Sequence, residues 1–360
     1  MTGTSDWYFN GRILSGAPGG VRRYAEQVLP RLPVQPIVLR PKVSRGPLGH
    51  LWEQTLLPSL AHGLLWSPAN VGPLAASCHV VTIHDVAPLD HPEWFSWAFG
   101  RWYTWLLPRL ARRATHIITV SEFSKSRIVE RCCVPAEKIT VTPLAAAERF
   151  RPLAAAEAEP ALARFGLARS GFVLAVGTLE PRKNLQALLR AWGAALPALP
   201  GGLELVIAGP RGSRSVFRST GLDEIQGRVR WLGRVSDTDL VALYSAAWLF
   251  VFPSLYEGFG FPPLEAMACG APVLCSNAAS LPEVVGDAAI TFGPRDTDAL
   301  ALLLVQLLTA PEHLAGMGAR GPARAARFSW GKCAAVSWSA LAGAARSSGV
   351  AVTAGNAGEA

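Results

Sequence analysis

The sequence predicts an α/β protein built from two doubly wound domains. Short apolar runs alternate with helical stretches along nearly all of the 360 residues, the pattern of parallel strands joined by crossover helices. The runs are continuously apolar rather than alternating, as strands covered on both faces must be. The series breaks once, in an Ala- and Pro-rich stretch over Thr142–Ser170, and then restarts.

Taken in order, the first series predicts strands over Trp7–Asn10, Ile37–Arg40, Leu64–Ser67, Val80–His84, Ile117–Val120 and Ile139–Thr142. Ser121 directly follows the fifth run and opens a helical stretch, as an N-cap does. The Ala- and Pro-rich stretch reads as a linker and the leading helix of a second domain. Strands then follow over Phe172–Gly177, Leu203–Gly209, Val229–Gly233, Trp248–Pro253, Pro272–Cys275 and Ala289–Phe292. Helices between them include Leu185–Ala195, Asp239–Ser245 and Leu264–Ala268, the last stopped by Gly270. One more helix follows Phe328, and the small polar residues beyond it read as a frayed end. The expected organisation is therefore a domain over 1–165, a domain over 166–326, a helix over 327–345 and a disordered tail over 346–360.

Half of the residues are hydrophobic and 17% are charged, which supplies a core for each domain and excludes a disordered chain. The net charge of +8 is spread out, with no aromatic–basic ladder, so no nucleic-acid partner is expected. The six cysteines form no C-x-x-C pair and read as small buried residues. No run of about eighteen apolar residues predicts a spanning helix. The first residues lack the pattern of a signal peptide, so a cytoplasmic location is expected.

Chemistry concentrates in a few stretches. Gly19 and Gly20 precede a helix carrying Arg22 and Arg23, where bare backbone approaches an anion at the positive end of a helix dipole. VGTLEPRKNL, Val176–Leu185, presents Arg182 and Lys183 just before another helix. Cations there oppose the dipole and make sense beside a bound diphosphate. YEGFGFPPLEAMACG, Tyr256–Gly270, places Glu257 in a Gly-rich loop. Pro262 and Pro263 suit the first turn of a helix beginning with Leu264 and Glu265. Backbone N–H groups of Gly258, Phe259, Gly260 and Phe261 then point at an anion, and the two carboxylates accept hydrogen bonds from sugar hydroxyls on either side. His84, with Asp85, stands at the carboxyl end of the fourth strand, where active-site residues of open sheets belong. The triplets Asp237–Asp239 and Asp296–Asp298 read as helix caps, and no metal site is expected.

On these motifs the chain resembles glycosyltransferase family 4, the retaining enzymes of GT-B fold, over about Asn10–Ser339. Glu257 and Glu265 match the E-x7-E signature, and Glu180–Asn184 matches the phosphate-binding turn. Thr119–Ile128 and Asn277–Ala289 match further family segments. The resemblance implies two Rossmann-like domains facing a cleft, the first on the acceptor side, with the last helix returning to it. It implies a nucleotide-sugar donor as substrate, a saccharide or polyprenyl-linked acceptor, and neither metal nor cofactor. Glu265 is then expected to hold the donor ribose, Glu257 the transferred sugar, and Lys183 with Arg182 the diphosphate. Gly233 and Val235 line the base, Gly19 and Gly20 approach the diphosphate, and His84 stands beside the reacting sugar. His84, Lys183 and Glu257 form the expected catalytic set.

Many members carry an Arg directly after the glycine matching Gly177; Thr178 stands there, so the cationic clamp leans on Lys183 and on Arg22 or Arg23. The motifs look most like bacterial mannosyltransferases that build surface polysaccharides, which points to GDP-mannose, with a rhamnose or uridine-diphosphate donor as the alternative. A non-catalytic nucleotide-sugar-binding protein is the rival from another class, and the presence of His84 speaks against it. Finally, His91–Ala114 carries Trp94, Trp97, Trp102 and Trp105 with Arg101, Arg109, Arg112 and Arg113. Such a segment suits either a core helix or peripheral contact with an anionic membrane.

Overall fold

The described residues, 7–16, 19–44, 46–210 and 228–352 of a computed structural model, form two all-parallel six-stranded sheets. Each sheet belongs to one of two compact units. The first unit comprises 1–90, 100–144 and 329–360. Its elements are β1 (Trp7–Asn10), α1 (Gly20–Val28), β2 (Ile37–Leu39), α2 (Gly46–Leu60), β3 (Leu64–Ser67), β4 (Cys78–Thr82) and α3 (Ala87–Asp90). They continue through α4 (Trp97–Arg113), whose first residues lie in the other unit, to β5 (His116–Thr119), α5 (Glu122–Cys132) and β6 (Ile139–Val141). The sheet order is β2-β1-β3-β4-β5-β6, with Tyr8 opposite Leu65 and Val81 opposite Ile117. Every residue of β1, β3 and β4 is buried, as their unbroken apolar runs require. Val81, Ile117 and Ile139 pack against Leu107, Leu110 and Ile128 of the covering helices, each contributing about 1.5–3 kcal/mol on burial. Ser121 caps α5, its Oγ accepting the Ser124 N–H at 3.0 Å.

The second unit comprises 91–99 and 145–328. It runs α6 (Ala155–Arg164), β7 (Phe172–Val176), α7 (Leu185–Ala195), β8 (Glu204–Ala208), β9 (Val229–Gly233), α8 (Asp237–Ala246), β10 (Leu249–Phe252) and α9 (Phe261–Ala268). Then come β11 (Val273–Ser276), α10 (Leu281–Val285), β12 (Ile290–Phe292), α11 (Thr297–Thr309) and α12 (Pro311–Ala325). The order is β12-β11-β10-β7-β8-β9. Leu188 and Trp192 of α7, with Leu300 and Leu304 of α11, bury one face of this sheet. The last helix, α13 (Trp330–Ser347), belongs to the first unit, where Cys333, Leu341 and Ala345 are buried as it packs on α1 and on β3 to β5.

Several boundaries differ from the sequence reading. The division expected at 165 falls at 144, because α6 buries Ala158 and Leu162 and packs along α8, with Arg164 paired to Asp239. Residues 91–99 also join the second unit, where His91 and Trp94 pack on Tyr256. The final helix runs through Ser347, so Arg346 and Ser347 are helical rather than tail; residues 353–360 of that expected tail, like 1–6 at the other end, lie outside the described residues. Helix α9 begins at Phe261, not Leu264, since Pro262 and Pro263 occupy its first turn. The Asp triplets open helices: Ser236 accepts the Asp239 N–H at 3.1 Å, and Asp296 accepts the Ala299 N–H at 2.8 Å. All six cysteines are free thiols, and Cys133 alone is exposed. The aromatic segment divides, with Phe95, Leu106, Leu107 and Leu110 buried and Trp97 and Trp105 exposed.

Candidate active site

In the second unit β7 lies between β8 and β10. The chain leaves β7 toward β8 on one side, and β10 flanks the other, so the strand order reverses there. Such a reversal opens a crevice at the carboxyl ends of the strands, the ordinary ligand position of open α/β sheets. Two segments meet at this crevice: the turn Pro181–Lys183 that follows β7, and the loop that follows β10.

Their meeting is a buried ion pair. Lys183 Nζ donates to Glu257 Oε1 at 2.5 Å, and Arg182 Nη1 donates to Glu257 Oε2 at 3.2 Å. Ser254 Oγ donates to Glu257 Oε1 at 2.6 Å. Arg182 is held from its other side by Glu180, whose Oε1 accepts from Nε at 2.7 Å. The Lys183 ammonium lies 5.0 Å from the centre of the Phe252 ring, within cation–π range. Burial pushes the Glu257 carboxyl up, but Lys183, Arg182 and the hydrogen bonds outweigh it and hold it below its ordinary value. The carboxylate is therefore ionised at neutral pH. Glu257 uses one of the three N–H donors of Lys183.

Asn184 closes the turn in the left-handed region, at φ +53°, and donates through Nδ2 to the Pro253 and Pro294 carbonyls at 3.2 and 2.9 Å. This ties the loop after β7 to the end of β10. Gly260 precedes α9 at φ +119°, and a Cβ there would stand 2.7 Å from Leu281 Cδ2, so only glycine fits without displacement. Ser280 Oγ lies 2.9 Å from the Glu257 carbonyl and 2.7 Å from that of Phe259, which pins Gly258–Phe261. Phe259 packs edge-on against Phe261 and Phe328.

Glu265 lies in the second turn of α9 and is 3% exposed, with Tyr244 Oη 3.5 Å from its Oε2. It is a buried carboxylate on the inner face, not the surface first-turn acid that favourable dipole placement alone would give. Gly233 ends the edge strand β9 at φ +69°, and Val235 follows half-buried.

The remaining expected residues lie in the first unit. Gly19 is the N-cap of α1 with extended backbone, and Gly20 is the first residue of that helix. Arg22 is engaged by Glu26 and by the Gly16 carbonyl, both at 2.7 Å. His84 follows β4 and is buried; its N–H donates to Asn70 Oδ1 at 2.6 Å and its carbonyl accepts from Ser124 Oγ at 2.9 Å. Its Nε2 lies 2.9 Å from the Pro68 carbonyl. A carbonyl only accepts, so Nε2 carries the proton and Nδ1 is the acceptor of the neutral ring. Burial lowers the His84 pKa, against the Pro68 contact and Asp85, which keeps the ring neutral.

The structure thus joins Arg182, Lys183 and Glu257 in one cluster, with Glu265, the Gly258–Phe261 loop and Gly233 in the same unit. His84, Gly19 and Gly20 are built into the other unit. Ser254, Tyr244, Ser280 and Asn70 are supporting residues to which the sequence reading assigns no role, and Glu180, read only as the start of the phosphate-binding turn, holds Arg182. A serine three residues before Glu257 and an acid opening the E-P-R-K-N turn two residues before Arg182 were the available signals. Among the described residues no three His, Cys, Asp or Glu side chains are grouped as metal ligands.

Two doubly wound, all-parallel six-stranded sheets in two compact units are the architecture of the GT-B class of transferase. The profile described as glycosyltransferase family 4 matches residues 12–145, and that described as glycosyl transferases group 1 matches 165–324. The O-antigen chain mannosyltransferase B of Escherichia coli is 40% identical over 256 residues, 71% of this chain and 67% of that protein. The serotype-specific mannosyltransferase WbdA of Escherichia coli is 32% identical over 277 residues, 74% of this chain but 33% of that longer protein. The structure of Anabaena Alr3699/HepE in complex with UDP and glucose superposes with a TM-score of 0.72 at 18% identity, covering 94% of this chain and 99% of that one. The chain belongs to glycosyltransferase family 4 and is a transferase.

Proposed function

We propose that this protein transfers a hexose with retention of configuration, from GDP-mannose to a saccharide or polyprenyl-linked saccharide acceptor in surface-polysaccharide assembly. The observation that carries the reading is the Lys183–Glu257–Arg182 cluster at the reversal point, beside the constrained Gly258–Phe261 loop. The 40% identity to an O-antigen mannosyltransferase supports mannose as the sugar. Lys183 and Arg182 receive the diphosphate, Glu265 the ribose, Gly233 and Val235 the base, and Glu257 the hydroxyls of the sugar. The bond from C1 to the diphosphate oxygen breaks as the acceptor oxygen bonds C1 from the same face. The acceptor proton passes to the departing phosphate oxygen. Fixed cations stabilise the charge that develops on that leaving group, a contribution that preorganised dipoles and charges usually dominate. The neutral His84 stands on the acceptor side, with Nδ1 as an acceptor for a sugar hydroxyl. With this charge supplied by side chains the reaction runs without a metal, in the cytoplasm and against the inner membrane face.

A panel of GDP-mannose, UDP-glucose and thymidine-diphosphate rhamnose, offered with a mannose-terminated oligosaccharide and read by mass spectrometry, tests the donor. The expected product gains one hexose from GDP-mannose alone. Transfer from another donor only overturns the donor choice, and tight binding without turnover on any acceptor overturns catalysis. Turnover is expected to survive EDTA; loss in the chelator, restored by magnesium or manganese, would reverse the metal-free reading.

A further inference from the structure

The first sheet has a reversal of its own. Strand β1 lies between β2 and β3, and the chain passes from β1 to β2 on one side before β3 takes the other. A ligand crevice is expected outside the carboxyl ends of the strands at such a point. A cleft of about 290 Å³ lies there, bounded by Asn10 at the end of β1, Arg12 just beyond it, Val21 of α1, Glu53 of α2, Tyr103 of α4 and the loop 68–71 after β3. Small-ligand pockets span roughly 300–1,000 Å³, so the cleft suits one small group rather than an extended chain.

Its charge is closed internally. Arg12 Nη1 donates to Glu53 Oε2 at 2.5 Å, Asn10 Nδ2 donates to Oε1 at 2.9 Å, and Arg12 Nε donates to the Ser44 carbonyl at 3.0 Å. Glu53 is fully buried, and a Cβ at Gly49 would stand 2.6 Å from Arg12 Nε, so α2 leaves room for the guanidinium. A buried ion pair seldom repays its desolvation in stability, which points to a role for this one at the cleft. Arg12 and Glu53 are the charged groups among the described lining residues, and they cancel. What remains is hydrogen-bonding capacity. Among the described residues Arg12 Nη2 has no hydrogen-bond partner. Tyr103 keeps its phenolic proton, since burial pushes its pKa up to about 12. Val21 and Val71 add apolar surface for the carbon–hydrogen face of a ring.

The loop 68–71 is also the seat of His84. Asn70 Oδ1 accepts the His84 N–H at 2.6 Å, and the Pro68 carbonyl accepts from its ring at 2.9 Å. A ligand in the cleft therefore rests against the residues that hold this histidine. We infer that the cleft is a subsite for an uncharged sugar of the acceptor, and that the Arg12–Glu53 pair, by cancelling its own charge, excludes a phosphorylated sugar. An uncompensated arginine would take a phosphate group, whereas the carboxylate beside it repels one. The inference rests on the reading of a saccharide acceptor and deepens it by naming the chemical class of the sugar that is received.

The test is binding without donor, titrated by saturation-transfer NMR on the full chain. The probes are a disaccharide ending in mannose and the same disaccharide carrying a phosphate on that mannose. Wild-type protein is expected to bind the neutral probe at least about tenfold more tightly than the phosphorylated one. Tyr103→Phe and Val21→Trp, the second filling the cleft, should each weaken the neutral probe by a similar factor while guanosine diphosphate binds as in the wild type. Glu53→Gln leaves Arg12 uncompensated and should turn the preference toward the phosphorylated probe. Unchanged circular-dichroism melting shows that a variant folds; where Glu53→Gln does not, the Tyr103 and Val21 variants decide. Equal affinity of the wild type for both probes, neutral binding unchanged in either of those two variants, or no binding of either probe overturns the inference. Nucleotide binding and transfer that persist in such a case leave the transferase reading standing, whereas saccharide binding with no transfer from any donor does the opposite.

Discussion

Glu257 ties the fold to the proposed reaction through one carboxylate. It is buried with two cations and a serine, and such a group is tolerated only while its partners remain. Lys183→Ala therefore leaves a buried charge short of its main partner, and about 3 kcal/mol of stability should be lost with it. In kinetics the same change should lower kcat/KM at least tenfold, about 1.4 kcal/mol of transition-state stabilisation. Glu257→Gln in the Lys183→Ala background should recover stability but not activity. Recovery of both in urea titrations and initial rates, or loss of neither, would sink the assignment. Acid behaviour rests on a different residue. Burial drives the pKa of His79 down to about 3, with Ser67 Oγ 2.9 Å from its Nε2. Below its ordinary value of 6.5 the unfolded chain binds a proton that the native state refuses, so stability falls as pH falls from 6.5 toward 3. His84 acts in the same direction, and ionised Glu257 adds stability above its ordinary 4.5 that is lost as it protonates. The slope from His79 alone is about 1.4 kcal/mol per pH unit. Unfolding of His79→Gln followed between pH 6.5 and 4 should show a flatter profile; an unchanged slope would assign the acid loss elsewhere.

Among elements, α9 and its preceding loop carry the tightest geometry. Gly260→Ala places a Cβ at φ +119°, 2.7 Å from the tip of Leu281, so that side chain must turn away and the loop backbone is strained. A strained backbone position of this kind costs about 1–3 kcal/mol, and the strained loop should weaken binding of guanosine diphosphate in calorimetric titration. Binding equal to wild type would show that the loop does not form the phosphate site. The strands were readable because residues such as Val80 and Val81 are buried on both faces and leave unbroken apolar runs. The positions of Lys183, Glu257 and Glu265 were readable because turn chemistry and charge at helix starts are local. What was not readable is which groups pair across the fold: Lys183 and Arg182 meet Glu257 from 74 and 75 residues away, whereas the supporting contacts of Ser254 with Glu257 and of Glu180 with Arg182 span only three and two residues. The sequence reading places no helix over residues 46–60, and Arg12 and Asn10, 41 and 43 residues from Glu53 in sequence, reveal which side of α2 faces inward. The domain boundary moved to 144 for the same reason, since the contacts of α6 with α8 are not written in α6 alone.

For the whole molecule, the consequence is that stability resides in two cores. Val81, Leu107 and Ile117 belong to one, and Leu188, Trp192 and Leu300 to the other. A chain with two such cores departs from two-state unfolding, so calorimetry should resolve two transitions. The side chains and backbone proposed above to hold the nucleotide, Arg182, Lys183, Gly233 and Glu265, lie in the second unit. A nucleoside diphosphate without sugar or acceptor should then raise one transition and leave the other in place. At a concentration a hundred times its Kd the linkage is about 2.7 kcal/mol, which for a unit of this size moves Tm by roughly 5–10 °C. Repeating the scan with Lys183→Ala should shrink that shift while the ligand-insensitive transition stays where it was. Leu110→Ala, in the first core, should instead lower the ligand-insensitive transition, by about 2–5 kcal/mol. A single transition that moves as one, or equal displacement of both by the nucleotide, would place the donor site outside the second unit or couple the two cores, and the assignment of the diphosphate to Lys183 and Arg182 would then have to be withdrawn.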